Sequence, residues 1–111
     1  MKPGRSTLTQ VYQSEADVFI RKAAEKPFFL HLSLDALKHS PYRSLHFVGA
    51  SAESRGTNFT DALREVDALV GAVTKALADM ELTDKTVVVL AAKSTALASH
   101  YNGGSNGPFT G

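Results

Sequence analysis

The chain has 111 residues, 43% of them hydrophobic and 21% charged, a balance that suits a single folded domain at most and excludes disorder by composition. Twelve basic residues against eleven acidic ones leave a net charge of +1, so no global field points to nucleic acid or an anionic membrane as partner. Cysteine is absent, which excludes a disulfide framework, a thiolate metal site and a cysteine nucleophile.

Residues 1–6 form a polar lead-in with Pro3 and Gly4. They carry no apolar core of a signal peptide, so no export signal is expected there, and the compartment stays open. No run approaches the roughly 18 apolar residues that a membrane span needs. Thr7 or Thr9 can cap a helix reaching about Lys26, because Tyr12, Ala16, Phe19, Ile20 and Ala23 recur at the spacing of one buried stripe. Pro27 stops it. Residues 28–34, FFLHLSL, then alternate, with Phe28, Leu30, Leu32 and Leu34 on one face and Phe29, His31 and Ser33 on the other, which predicts a strand.

Residues 35–57 contain Pro41, Gly49 and Gly56 and read as an irregular segment, longer than most loops of compact domains and therefore a candidate for function. Asn58 or Thr60 can cap a second helix, in which Phe59, Ala62, Leu63, Val66, Leu69, Val70, Val73 and Leu77 keep the helical period to about Met80. A turn at residues 82–84 leads into Val87, Val88, Val89 and Leu90, a run too short for a typical helix and too uniformly apolar for a strand with one wet face. It predicts a buried parallel strand. The expected class is therefore α/β, a βαβ unit preceded by a helix, whose right-handed crossover leaves both strand ends on one edge. Ligands gather beyond the carboxyl ends of such strands, so residues 91–101 and the loop after Leu34 should face one another across a site. Two strands and two helices cannot cover a doubly buried sheet, so apolar strand faces are expected to stay exposed and to favour self-association.

Several patterns have bland alternatives. Residues 103–107, GGSNG, match the G-x-S-x-G of a nucleophile elbow but lack the strand before it and the helix after it, so a glycine loop is the better account. His31, His39, His46 and His100 include no i, i+4 pair of the kind that holds zinc on a helix. His31 suits a packed or hydrogen-bonded sheet position. His39, in the HSPY segment stiffened by Pro41, can point at the edge of a site. Asp61 and Glu65 are i, i+4 neighbours and suggest a solvated helix face, with Asp61 also favoured by the positive helix N-terminus. Asn58-Phe59-Thr60 is a formal glycosylation sequon.

Four segments, EKPFFLHLSLDALKHSPYRS, RGTNFTDALREVDALVGAVTKAL, LTDKTVVVL and NGGSNGPF, resemble in order and spacing the middle of arylsulfatase-type sulfatases. The resemblance runs from about Thr9 onward. It implies the alkaline-phosphatase-like α/β/α sandwich, with residues 1–111 as an internal fragment of a catalytic domain of a lysosomal or secreted enzyme. It also implies hydrolysis of sulfate esters by a formylglycine, made from a C-x-P-S-R or S-x-P-S-R segment, beside a calcium ion held by acidic and amide oxygens. His39, in the place of the family's H-x-P histidine with one residue inserted, would contact the sulfate or protonate the leaving group, with Lys38 and Arg43 as further substrate contacts. Where the family has S-D-N-G, with Asp and Asn as metal ligands, this sequence has Ala92, Lys93, Ser94 and Thr95. Lys93 and Ser94 occupy the metal-ligand positions, and an ammonium offers a cation no lone pair. Neither precursor segment occurs, nor does the acidic metal pair or the family's lysine beyond the glycine loop. The expectation is a sulfatase-like chain without calcium or formylglycine, inactive alone. The alternative is a degenerate module that binds a sulfated glycan or a partner protein through Lys38, His39, Arg43 and Lys93.

Overall fold

The computed structural model describes residues 7–37 and 58–92, together with Pro108. Two helices pack against each other: α1, Leu8–Ala23, and α2, Asn58–Asp79. Thr7 is the N-cap of α1 but makes no side-chain capping bond, while Arg21 and Lys22 in the last turn complement the negative end of the helix dipole. The helix runs out through a turn in which the Lys26 amide donates to the Ala23 carbonyl at 2.9 Å, and Pro27 then prevents its resumption.

The end of α2 closes by backbone chemistry. The Glu81 amide donates to the Ala78 carbonyl at 3.0 Å and the Leu82 amide to the Leu77 carbonyl at 2.9 Å, the paired bonds of a Schellman cap. Glu81 adopts φ 56°, the left-handed conformation this cap requires. A short 3-10 helix, Thr83–Lys85, follows, and Thr86 restores extended backbone at φ −128° and ψ 126°.

The core lies between the helices. Ile20, Ala76 and Leu77 are fully or nearly fully buried, and Phe28, Leu30, Val73, Met80 and Leu82 pack against them. Phe19 and Phe28 meet edge to face with ring centroids 5.7 Å apart, which fixes the chain as it leaves α1. Leu82 doubles as cap and core residue, since the contact with Leu77 accompanies the Schellman bonds.

The predicted α/β class is overturned: the described residues contain two α-helices and no strand or sheet. Residues 28–34 keep the expected alternation, with Phe28, Leu30, Leu32 and Leu34 half-buried and Phe29, His31 and Ser33 exposed. Extension alone does not make a strand. A strand exists through its hydrogen-bonded ladder, and no ladder joins residues 28–34 to residues 86–92. The expected burial of the valine run fails with it, since Val87, Val88, Val89 and Leu90 are 91%, 54%, 80% and 74% exposed. Hence neither the βαβ unit nor the α/β/α sandwich is formed by the described residues.

Candidate functional site

Lys38, His39, Arg43, Lys93 and Ser94, the positions singled out for sulfate contact or metal ligation, lie outside the described residues, as does the NGGSNG loop apart from the adjoining Pro108. What is described is the chain leading to them. Ala36, buried at the end of the first extended segment, anchors the backbone two residues before Lys38. Ala91 and Ala92 end the second segment exposed, next to Lys93.

Open depressions occur among the described residues, and two of them include no predicted site residue. One, about 500 Å³, is bordered by Lys26, Pro27, Phe28, Leu82, Lys85 and Val87, so both extended segments start at it. The expected site was at their far ends. The other, about 400 Å³, lies between the helices and is bordered by Gln13, Asp17, Arg21, Lys75 and Asp79.

That second depression is lined by charges that neutralise one another. Arg21 Nε donates to both Asp17 carboxylate oxygens at 3.0 Å, Arg21 Nη2 reaches Asp79 Oδ2 at 3.4 Å, and Lys75 Nζ donates to both Asp79 oxygens at 2.8 Å. Hydrogen bonding to Asp17 pushes the Arg21 guanidinium further up from its already high value. The Lys75 ammonium first, and Arg21 after it, hold the Asp79 carboxyl below the usual carboxylate range, against partial desolvation. Both i, i+4 spacings, 17 to 21 and 75 to 79, are visible in sequence; the bridge from Arg21 to Asp79 is tertiary. With every charge paired at a half-exposed surface, the network ties α1 to α2 and presents no unbalanced group to a ligand.

Three further residues depart from expectation. Asp61 and Glu65, read as a solvated face, are 1% and 3% exposed, and both are engaged in polar interactions. Their row is buried beside the Ala62 and Val66 row, so the first half of α2 hides a wider arc than its apolar stripe predicts. His31 is exposed on extended backbone rather than packed within a sheet. Among the described residues no three His, Cys, Asp or Glu side chains gather as a metal site requires, and no helix is long and apolar enough to cross a membrane.

With no site enclosed by these residues, sequence relationship is the guide to chemistry, and it relates the chain to the sulfatases. N-acetylgalactosamine-6-sulfatase of Canis lupus familiaris is 39% identical over 113 residues, covering 98% of this chain and 21% of that protein. The Homo sapiens protein of that name is 38% identical over 112 residues, again 98% of this chain and 21% of its own length. Steryl-sulfatase of Rattus norvegicus is 32% identical over 110 residues, 94% of this chain and 18% of that protein. The chain thus spans about a fifth of the length of these relatives. No family model and no solved structure matches it. The resemblance read from the four sequence segments is borne out.

Proposed function

We propose that this stretch derives from the sulfate-ester hydrolysing part of a sulfatase and that its own residues do not complete the reaction. The observation that carries the reading is a substitution: Lys93 stands where the sulfatase pattern places a metal-binding aspartate. A carboxylate would give a hard cation an anionic oxygen, whereas the lysine ammonium has only donors and repels it. Ser94 offers a neutral hydroxyl in place of the amide oxygen. The donor set does not fit calcium, and the sequence holds neither a C-x-P-S-R nor an S-x-P-S-R segment from which a formylglycine could be made. His39 keeps a role open to an imidazole near neutral pH, contacting sulfate or giving a proton to the leaving oxygen, but it has no nucleophile in this sequence to work with.

The same substitution favours a second reading, recognition without turnover. Replacing an acid by Lys93 adds positive charge to a set that already has Lys38, His39 and Arg43, which suits a sulfated glycan. The purified chain is assayed against a fluorogenic aryl sulfate and, separately, titrated with a sulfated glycosaminoglycan at two salt concentrations. The expected result is no hydrolysis. Turnover lost on chelation or in His39→Ala would overturn the proposal. Glycan binding that weakens with salt, and in Lys93→Ala, would establish the second reading; salt-independent binding would reject it.

A further inference from the structure

We propose that Met80 is a modification site, oxidised to the sulfoxide by peroxide while the chain stays folded, and that Arg21 receives the new oxygen. The guanidinium of Arg21 divides its nitrogens among three partners: Nε donates to Asp17, Nη2 to Asp79, and Nη1 lies 3.9 Å from the Met80 sulfur. The first two partners are carboxylates. A thioether is a much weaker acceptor, so the third arm of the fork is the poorly matched one. An S–O bond of about 1.5 Å and a hydrogen bond of about 2.9 Å, bent at the oxygen, together span about the present separation. Oxidation therefore sets an oxygen where Nη1 already points, and the contact becomes a charge-assisted hydrogen bond.

The surroundings hold the sulfur in place and within reach. The Met80 amide donates to the Ala76 carbonyl at 3.2 Å, and the Schellman bonds fix the two residues that follow, so the backbone at Met80 is not free to turn away. The half-buried side chain packs on the cluster of Ile20, Ala76 and Leu77 and meets Arg21, whose own side chain is 46% exposed, so a molecule as small as hydrogen peroxide has access. A sulfur lone pair attacks one peroxide oxygen, the S–O bond forms as the O–O bond breaks, and the departing hydroxide takes the proton of the transferred hydroxyl to leave as water. Sulfur gives up two electrons, which reduce the peroxide. With no cysteine in the chain, no thiol competes for the oxidant. This inference is independent of the sulfatase reading, because it uses no residue of the proposed sulfate site.

The test treats the full chain with hydrogen peroxide and weighs the tryptic peptide of residues 76–85, which separates Met80 from Met1. The expected result is one added oxygen in that peptide, gained at a rate within about tenfold of that in the urea-unfolded chain. Oxidation should lower the melting temperature of the wild type by less than about 3 degrees, and that of Arg21→Ala by at least about 5 degrees more. In the wild type the Arg21 side-chain N–H resonances should move downfield on oxidation, a readout that does not depend on the variant folding. Met80→Leu should gain no oxygen in the peptide and melt alike with and without peroxide. A Met80 that stays unoxidised in the folded chain overturns the inference. Equal melting losses in the wild type and Arg21→Ala, or Arg21 resonances that do not move, overturn it as well.

Discussion

Positions 71 and 81 of the second helical region each hold a residue that the backbone there would exchange. Gly71 lies inside α2, and a Cβ built on it meets nothing within 4 Å. Gly71→Ala should therefore stabilise the chain by about 0.5 to 1 kcal/mol, through the lost backbone entropy of glycine, and raise the melting temperature by several degrees. Glu81 stands in the left-handed position of the Schellman cap, where a Cβ is strained. Glu81→Gly should relieve about 0.5 to 1 kcal/mol net of the freedom that glycine gains in the unfolded chain, measurable by urea denaturation with an unchanged slope. A loss of stability in Gly71→Ala would show that the added methyl disturbs packing on α2, and a loss in Glu81→Gly that the helix end is held by contacts other than these backbone terms. Asp79 gives a third prediction. Its folded value is depressed by Lys75 and then Arg21, so the stability it supplies is present above the ordinary carboxylate value near 4 and is lost as pH falls through the depressed one. The stability gap between wild type and Asp79→Asn should be open at neutral pH and closed in strong acid. A gap independent of pH would contradict that assignment. Asp61 and Glu65 show the limit of sequence at this scale: i, i+4 acids look the same on a wet face and on a buried one, and only the packing around α2 separates them.

Between elements, the helix pair depends on few large side chains. Ile20 is fully enclosed on α1 and touches a cluster built from Ala76 and Leu77 on α2. Ile20→Ala should cost about 2 to 5 kcal/mol, since small neighbours such as Ala76 cannot refill the space. In a chain of this size that is enough to abolish a cooperative thermal transition followed at the helical circular dichroism band. A transition that survives with less than about 1 kcal/mol lost would place the weight of the core elsewhere. The helices themselves were legible. Ala16 and Ile20 in α1, and Ala62, Val66, Leu69 and Leu77 in α2, lie buried on the predicted stripes, and Leu63 is the chief exception at 46% exposed. Local periodicity sufficed because a helix closes its hydrogen bonds within itself. Residues 28–34 were legible only as an alternation, because their ladder depends on partners that no local pattern names. The Schellman end of α2 was missed beyond an approximate boundary, since its usual glycine is replaced by Glu81.

At the scale of the whole molecule, the sulfatase relationship was written in four ordered segments, while the proposed site is a residue list only, since Lys38, His39, Arg43, Lys93 and Ser94 come from chain regions far apart in sequence and lie outside the described residues. Their chemistry still yields a prediction about the entire chain. A protein that binds calcium in its native state gains stability as RT ln(1 + [Ca]/Kd), about 2.7 kcal/mol at a hundredfold excess over Kd, which in a domain this small moves the melting temperature by roughly 10 degrees. On the proposed assignment of Lys93 to the ligand position, the cation would meet a like charge that opposes it by several kcal/mol at close range and intermediate dielectric. Melting curves in millimolar calcium and in excess chelator should therefore coincide. Lys93→Asp tests the cause, because it reverses that charge while leaving every other ligand position as it is. If the lysine alone excluded the cation, the variant would gain a calcium-dependent rise; with the acidic metal pair absent from the sequence and Ser94 in the place of the amide ligand, its curves should stay coincident as well. A rise already present in the wild type would mean that other oxygen atoms outweigh Lys93 and that the chain retains a working half of the metal site.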